Sequence, residues 1–347
     1  MKAVRYYGVG DIRIEDLPDP EAGPGQVVIR VAYNGICGTD LHEYFAAPTL
    51  IPTSAHPLTG VSAPVTLGHE FSGTVVQVGP GVTRCAVGDR AAVRPTLSCG
   101  TCVACRRKAF NLCRKLALCG LSAASGGLSE YALAEADQIH LLPAEVSLEL
   151  GALVEPMAVG YHAVRKSGTG PGDVVVVSGL GPIGIGLWYA LRSHGVSTIV
   201  LCDPAENRRA RTCALGGEHV IDPTVDDLAA SVGDLSDGEG AAVVFDAAGV
   251  GAAVLSGLDV LAPSGSVVVV GLHESAFALQ PLGIVLGELS IAGSAVYLDD
   301  DFTSVIQAMA AGVYSTDGWV DHAPLDGITG ALDDLRKGRG TKILIDV

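Results

Sequence analysis

The chain has 347 residues, a net charge of −16 and 48% apolar residues. A chain of this length and apolar content can form two folded domains with buried cores, which excludes an extensively disordered protein. The acidic balance argues against a nucleic-acid partner, because a phosphate-binding surface needs clustered lysine and arginine. The charge more simply favours solubility.

Residues 1 to about 150 contain short β-branched segments bounded by glycine and proline, such as 27–31 and 73–78. This pattern predicts an antiparallel, barrel-like domain. The first residues lack the apolar run of a secretory signal, so we expect none.

From about Glu155 the pattern changes to apolar strands that alternate with helices. Strands are predicted at 174–178, 198–202, 242–246 and 266–271, and helices at 206–215 and 224–235. Continuous apolar strands separated by helices indicate a parallel sheet covered on both faces, so the fold class is α/β. After Gly293 we expect a return to the first domain, through a helix at 302–311 and a last strand at 342–347.

Residues 174–191 form an uncharged stretch that is long enough to suggest a membrane span. Its glycines and Pro182 divide it into a buried strand, a tight turn and a helix. We therefore expect no membrane-spanning segment.

The strand at 174–178 leads directly into a glycine-rich motif and then a predicted helix. In such a motif the first glycine permits a tight turn, the second lets the backbone approach a pyrophosphate, and the third lets helix and strand pack closely. Glycine-rich turns also occur for packing reasons, but here both flanking elements fit a dinucleotide site. The predicted binding residues are Gly179, Gly181, Pro182, Ile183 and Gly184.

Asp203 ends the next predicted strand. A carboxylate there can accept both ribose hydroxyls and would repel a 2′-phosphate, which favours NAD over NADP. Arg208 and Arg209 are contrary signs, since a nearby arginine could bind that phosphate. They could equally form a solvated helix face, or Arg208 could lie along the adenine.

The nine cysteines do not form the pattern of a disulfide framework, and retained thiols suit a reducing cytoplasm. Four of them are spaced as Cys99-x₂-Cys102-x₂-Cys105-x₇-Cys113. Four soft ligands can close a tetrahedron on Zn²⁺ and leave no open position, which defines a structural site. The alternative is a pair of disulfides, which this spacing makes sterically awkward.

A second cysteine motif lies earlier, in Gly35-Ile36-Cys37-Gly38-Thr39-Asp40-Leu41-His42, and Gly68-His69-Glu70 follows it. A thiolate, an imidazole and a carboxylate could together hold a metal ion with an open position. An isolated histidine is also often just a hydrogen-bonded side chain. The residue pattern alone leaves both interpretations open.

Together and in this order, the two cysteine motifs, the histidine motif and the glycine motif resemble the zinc-dependent medium-chain dehydrogenase/reductase superfamily. The resemblance covers essentially the whole chain. It implies a GroES-like catalytic domain at 1–153 and 295–347, with a structural zinc lobe at 99–113. It also implies a Rossmann NAD-binding domain at 154–294 and an active site in the cleft between the domains.

By similarity, the ligands of a catalytic zinc are Cys37, His69 and Glu155. Glu70 is the neighbouring carboxylate, which alternates with water on the metal in this interpretation. Asp40 fits a partner that holds the His69 ring.

The resemblance also assigns a proton relay and a nicotinamide pocket. Thr39 and His42 fit the relay that carries the alcohol proton to solvent. Val159, Val270 and Leu272 resemble residues that line the nicotinamide pocket. The implied chemistry is a metal-assisted hydride transfer between an alcohol and NAD, with two zinc ions per subunit.

Within the superfamily, the loop around 56–60 and the segments 35–44 and 120–127 are similar to (R,R)-2,3-butanediol dehydrogenases. This implies the reversible oxidation of a vicinal diol to acetoin, and of acetoin to diacetyl. A sorbitol or threonine dehydrogenase is the nearest alternative, and a non-catalytic NAD-binding scaffold is an alternative of another class. A homodimer or homotetramer is expected by resemblance, with residues 289–296 as a candidate edge.

Overall fold

The computed structural model of the chain describes residues 1–47 and 49–347. Contacts divide them into two compact units, Met1–Glu155 with Leu298–Val347, and Pro156–Tyr297. The expected domain boundaries at 153 and 294 lie a few residues before these.

The first unit consists mainly of β-strands. Its strands up to the boundary are β1 (Lys2–Gly8), β2 (Asp11–Asp16), β3 (Gln26–Gly35), β4 (Val65–Thr66), β5 (Glu70–Val78), β6 (Arg90–Val93), β7 (Thr96–Leu97), β8 (Ala117–Leu118), β9 (Tyr131–Glu135) and β10 (Ile139–Leu141). Its helices there are α1 (Gly38–Phe45), α2 (Val103–Arg106) and α3 (Leu148–Ala152), and α4 (Val154–Ser167) crosses the boundary along the chain.

The second unit alternates strands and helices as predicted. Its strands are β11 (Val174–Ser178), β12 (Thr198–Cys202), β13 (His219–Ile221), β14 (Ala241–Asp246), β15 (Leu261–Val269) and β16 (Ser290–Gly293). Its helices are α5 (Pro182–Ser193), α6 (Glu206–Ala214), α7 (Leu228–Leu235), α8 (Gly251–Asp259) and α9 (Pro281–Gly287).

The last segment returns to the first unit. Its elements are α10 (Asp299–Ala310), β17 (Val320–Pro324), α11 (Ile328–Arg336) and β18 (Lys342–Asp346).

The long strand β3 organises the main sheet of the first unit. The strand order is β10-β6-β5-β3-β18-β17, and β9 also pairs with β3. Gly35, at the end of β3, is paired with Glu70 of β5 on one side and with Leu344 of β18 on the other. The first residue of β5 and the final strand of the chain therefore meet at one point.

The second unit contains the predicted parallel sheet, in the order β13-β12-β11-β14-β15-β16. Its core is formed by β-branched side chains of the central strands, such as Val176, Val200 and Val244, none of which is exposed. The doubly wound order reverses between β11 and β14, where such sheets bind ligands at the carboxyl ends of their strands.

The uncharged stretch at 174–191 forms β11, a loop and part of α5, as expected. Among the described residues, no helix is long and apolar enough to cross a membrane.

Two helix starts were predicted wrongly because side chains cap the helices. The helix predicted from residue 224 begins at Leu228, because the carboxylate of Asp227 accepts the backbone N–H of Ala230. The helix predicted from residue 302 begins at Asp299, and the carboxylate of Asp301 accepts the backbone N–H of Leu298.

Candidate metal and dinucleotide sites

The four-cysteine lobe brings its sulfur atoms together. The ligand atoms of Cys99, Cys102, Cys105 and Cys113 all lie within 4.8 Å of one another. The sulfur of Cys105 is 3.5 Å from that of Cys102 and 4.0 Å from that of Cys99. These separations are too long for disulfides and close to the roughly 3.8 Å edge of a Zn²⁺ tetrahedron with sulfur ligands. The lobe fits a closed zinc site.

Backbone groups stabilise thiolates in this lobe. The Cys113 sulfur accepts the backbone N–H of Cys99 and of Lys115, both at 3.3 Å. Hydrogen bonds from the backbone, the largest from Thr101, lower the pKa of Cys99 to about 6. Burial raises the pKa of Cys105 to about 11. A bound cation would favour the thiolate form of all four.

The second donor set is assembled at the start of α1 and β5. The ligand atoms of Cys37, His69 and Glu70 lie within 4.8 Å of one another. Cys37 immediately precedes α1, and its sulfur lies 3.6 Å from Oγ1 of Thr39. His42 lies about one turn beyond Thr39 on the same helix, so the two side chains share a face.

Asp40 connects the thiol segment to the histidine. Its Oδ2 accepts the backbone N–H of Cys37 at 2.9 Å, and its Oδ1 lies 3.7 Å from Nδ1 of His69. The second distance describes an ionic contact rather than a hydrogen bond. Burial lowers the pKa of His69, but the carboxylate of Asp40 and the thiolate of Cys37 raise it well above its usual value overall.

Glu70 has a partner that the sequence analysis missed. Its Oε2 is bound by the ammonium group of Lys342, which also donates to the carbonyl of Ile36 at 2.9 Å. Both side chains are buried, with 0% of Glu70 and 1% of Lys342 exposed. The only sequence signal was a lysine that directly precedes the apolar run 343–345. A Cβ atom on Gly35 would lie 2.2 Å from Oε2 of Glu70, so a larger residue there would displace the buried pair.

The third expected zinc ligand, Glu155, lies in the first turn of α4 and is 7% exposed. Its charge contributes to the raised pKa of His69. Among the described residues, the compact donor set contains Cys37, His69 and Glu70 and does not include Glu155.

This donor set fits a zinc ion by its chemistry. Thiolate, imidazole and carboxylate are the ligand types of open zinc sites. Oε1 of Glu70 is buried and makes no hydrogen bond in the described part of the chain. A buried polar atom without such a partner is costly, and a metal ion would compensate it. Nδ1 of His69 faces Asp40, which leaves the other ring nitrogen for a metal.

The glycine-rich loop, Gly179 to Gly184, has the geometry that a dinucleotide requires. Gly179 has φ +96°, and a Cβ atom on Gly184 would lie 1.8 Å from the carbonyl oxygen of Gly179. A Cβ atom on Gly181 would meet nothing within 4 Å, so space is open there. Pro182 is the first residue of α5, whose free N–H groups can bind an anion.

Asp203 holds this loop from the neighbouring strand. Its carboxylate accepts the backbone N–H of Leu180 and of Ala205, both at 2.8 Å, and is 3.3 Å from Nη1 of Arg208. Arg209 is bound instead by Asp222 at 3.0 Å and by backbone carbonyl groups. Arg208 therefore contacts the carboxylate of Asp203, whereas Arg209 contacts its backbone carbonyl oxygen at 2.8 Å.

The expected nicotinamide residues lie in separate elements of the second unit. Val159 is partly buried on α4, whereas Val270 and Leu272 follow β15. Val270 donates its N–H to the carbonyl of Asp246, and 81% of Leu272 is exposed. Leu272 is therefore available to a ligand.

Comparisons with known proteins identify both domains. Residues 23–144 match the family described as alcohol dehydrogenase GroES-like domain, and residues 182–311 match the family described as zinc-binding dehydrogenase. The GroES-like and Rossmann expectations are confirmed.

Relatives of known activity match over most of their length. The (R,R)-butanediol dehydrogenase of Bacillus subtilis (strain 168) is 39% identical over 319 residues, which cover 91% of this chain and 90% of that protein. The crystal structure of 2R,3R-butanediol dehydrogenase from Bacillus subtilis superposes with a TM-score of 0.93 at 38% identity and covers 100% of this chain and 99% of its own. The sorbitol dehydrogenase of Bombyx mori is 33% identical over 354 aligned positions, which cover 99% of this chain and 98% of that protein.

The buried pair of Lys342 and Glu70 generates a prediction about stability. Lys342→Met should lower the free energy of unfolding by about 3–5 kcal/mol, because it leaves a buried carboxylate without its counter-charge. The double variant Lys342→Met with Glu70→Gln should recover at least about 1 kcal/mol of this loss. Urea denaturation measures both. The exposed Lys337→Met is the control, and an equal effect of the two lysine substitutions would contradict the assigned role.

Proposed function

Because the chain belongs to the zinc-binding alcohol dehydrogenase family, we propose that it interconverts (R,R)-2,3-butanediol and acetoin with zinc and NAD, and also reduces diacetyl. The observation that carries this proposal is the donor set of Cys37, His69 and Glu70 in a chain that also has a dinucleotide loop. The named activity of the relatives supports the choice of substrate.

The proposed catalytic zinc would be held by Cys37, His69 and Glu155, with Glu70 as the neighbouring carboxylate. The proposed structural zinc is held by the four cysteines of the 99–113 lobe. When bound, the catalytic ion supplies Lewis acidity that lowers the pKa of the alcohol hydroxyl, and the nicotinamide accepts the hydride from the adjacent carbon.

The chain's own residues would hold the reacting groups and move the proton. The hydroxyl of Thr39, which lies beside the Cys37 sulfur, is placed to accept the proton that leaves the alcohol. His42, on the same face of α1, would pass that proton to solvent. Lys342 keeps one oxygen of Glu70 occupied and leaves the other available to the metal.

The proposed cofactor is NAD, held by the loop from Gly179 to Gly184 and by Asp203. The carboxylate of Asp203 is fixed by two backbone N–H groups and lies at the end of β12. A fixed negative charge there binds ribose hydroxyls and repels a 2′-phosphate. We assign Arg208 to the adenosine side, and Val159, Val270 and Leu272 to the nicotinamide pocket.

Sorbitol or a related polyol is the second candidate substrate. The sorbitol dehydrogenase relative aligns over 99% of this chain, more than the 91% of the butanediol dehydrogenase relative, although its identity is lower. Both alternatives use the same metal and cofactor, so only a comparison of substrates separates them.

We also propose that the protein is a homo-oligomer in the cytoplasm. Strand β16 ends the parallel sheet, and the neighbouring helix α9 has no buried residue. Val285 and Leu286 are 70% and 77% exposed, which is costly unless a second copy covers them. All nine cysteines are free, which suits a reducing compartment.

The proposed reaction predicts a substrate order. The zinc-loaded protein should form NADH fastest with (R,R)-2,3-butanediol when meso-2,3-butanediol, sorbitol, threonine and 2-propanol are compared by absorbance. Cys37→Ser should lower kcat/KM more than about a hundredfold, because the metal loses its thiolate. NAD binding should be retained, and the exposed Cys213→Ser is the control. A preference for sorbitol would favour the second candidate. No turnover with zinc and NAD both bound would favour a non-catalytic scaffold.

The cofactor assignment predicts altered selectivity. Asp203→Ala should raise the KM for NAD about tenfold and reduce discrimination against NADP, because both the ribose acceptor and the repelling charge are removed. Asp203→Asn retains an acceptor for the Leu180 N–H and separates loss of charge from collapse of the loop. Steady-state kinetics with both cofactors measure the ratio. Unchanged selectivity in both variants would exclude Asp203 as the ribose ligand.

The exposed apolar face predicts association. Leu286→Glu should shift the protein to a smaller assembly, because it places charge on the face that a second copy would cover. Light scattering after size-exclusion chromatography measures the mass. Val225→Glu, at a residue that is 81% exposed and outside this face, is the control. A monomeric wild-type protein would contradict the proposal.

A further inference from the structure

Asp246 connects the loops that follow two strands of the parallel sheet. It ends β14 and has no exposed surface. Its carbonyl oxygen accepts the N–H groups of Val270 and Gly271 at 2.9 and 2.8 Å. Its Oδ1 accepts the N–H groups of Ala248 and Gly249, both at 3.0 Å. The loops after β14 and β15 are therefore held by one residue.

His273 completes this arrangement. Its Nε2 lies 2.6 Å from Oδ2 of Asp246, a short, charge-assisted hydrogen bond. This bond makes Nε2 the N–H donor of the ring, because an ionised carboxylate can only accept. The ring also contacts Phe277, with centroids 5.5 Å apart. Nδ1 is buried and has no hydrogen-bond partner in the described part of the chain.

These loops pack directly against the glycine-rich loop. A Cβ atom on Gly179 would lie 2.7 Å from the backbone nitrogen of Ala248, and one on Gly249 would lie 2.5 Å from the carbonyl oxygen of Leu272. In the sheet, β12 with Asp203 lies on one side of β11, whereas β14 and β15 lie on the other. Asp203 is the proposed ligand of the adenosine ribose. The other side of β11, with β14 and β15, is therefore available to the nicotinamide half.

We propose that Asp246 and His273 form a positioning pair for the nicotinamide half of the dinucleotide. The pair holds the backbone of Val270 to Leu272 in the conformation that the nicotinamide ring requires. It contributes nothing to binding of the adenosine half. This inference rests on the proposed dinucleotide function, and it assigns to His273 a role in orienting the cofactor rather than in the chemistry.

The test compares NADH with ADP-ribose, which lacks the nicotinamide ring. His273→Phe keeps the ring packing against Phe277 and removes the hydrogen bond to Asp246. By calorimetric titration we expect NADH to bind about tenfold more weakly and ADP-ribose to bind within about twofold of the wild-type value. His273→Gln can still donate to Asp246 and should restore most of the NADH affinity.

The matched control is His194→Phe. His194 follows α5, whose first turn adjoins the glycine-rich loop, so it lies at the far end of that helix. It should leave both affinities unchanged. Equal weakening of NADH and ADP-ribose in His273→Phe, or no weakening of either, would overturn the positioning role. A wild-type protein that binds neither ligand would instead overturn the proposed dinucleotide function itself.

Discussion

The first unit depends on the mutual compensation of charged groups that have been removed from water. Asp40, His69, Glu70 and Lys342 are only 2%, 3%, 0% and 1% exposed. Each isolated charge would cost several kcal/mol at such a position, so each needs a partner of opposite charge. Lys342 compensates Glu70, and the high pKa of His69 reflects the carboxylate of Asp40. The donor set for the metal is formed within this network, so its geometry is fixed by the folding of the unit.

Motifs that are contiguous in the chain could be predicted from the sequence. The spacing of the four cysteines from Cys99 to Cys113 along the chain is enough to bring their sulfur atoms together. The spacing of the glycines from Gly179 to Gly184 is likewise enough to form the turn. The parallel sheet could be predicted for the same reason, since each strand shows its burial in its own composition. The structure places these groups as those local patterns require.

Partners that are distant in the chain could not be predicted. Lys342 is 272 positions from Glu70, and nothing near Glu70 indicates that its counter-charge comes from the last strand. His273 is 27 positions from Asp246 and lies in a loop whose path depends on the register of β14 and β15. Such pairs are determined by how strands are ordered in a sheet. The strand order results from the complete fold, so it cannot be read from a short segment of one sequence.

Both proposed binding regions use the same construction, although they belong to different units. In each, a fully buried carboxylate on the first or last residue of a strand is bound by a basic side chain from a later part of the chain: Lys342 binds Glu70, and His273 binds Asp246. Glycines allow close approach in both regions: Gly35 lies against the pair of Glu70 and Lys342, and Gly179 lies against the loop after β14 at Ala248. The entropy cost of fixing these groups is therefore met when the protein folds and not when its ligands bind, which is the condition for a preorganised site. Each pair joins residues from distant parts of the chain, so short sequence motifs do not contain it.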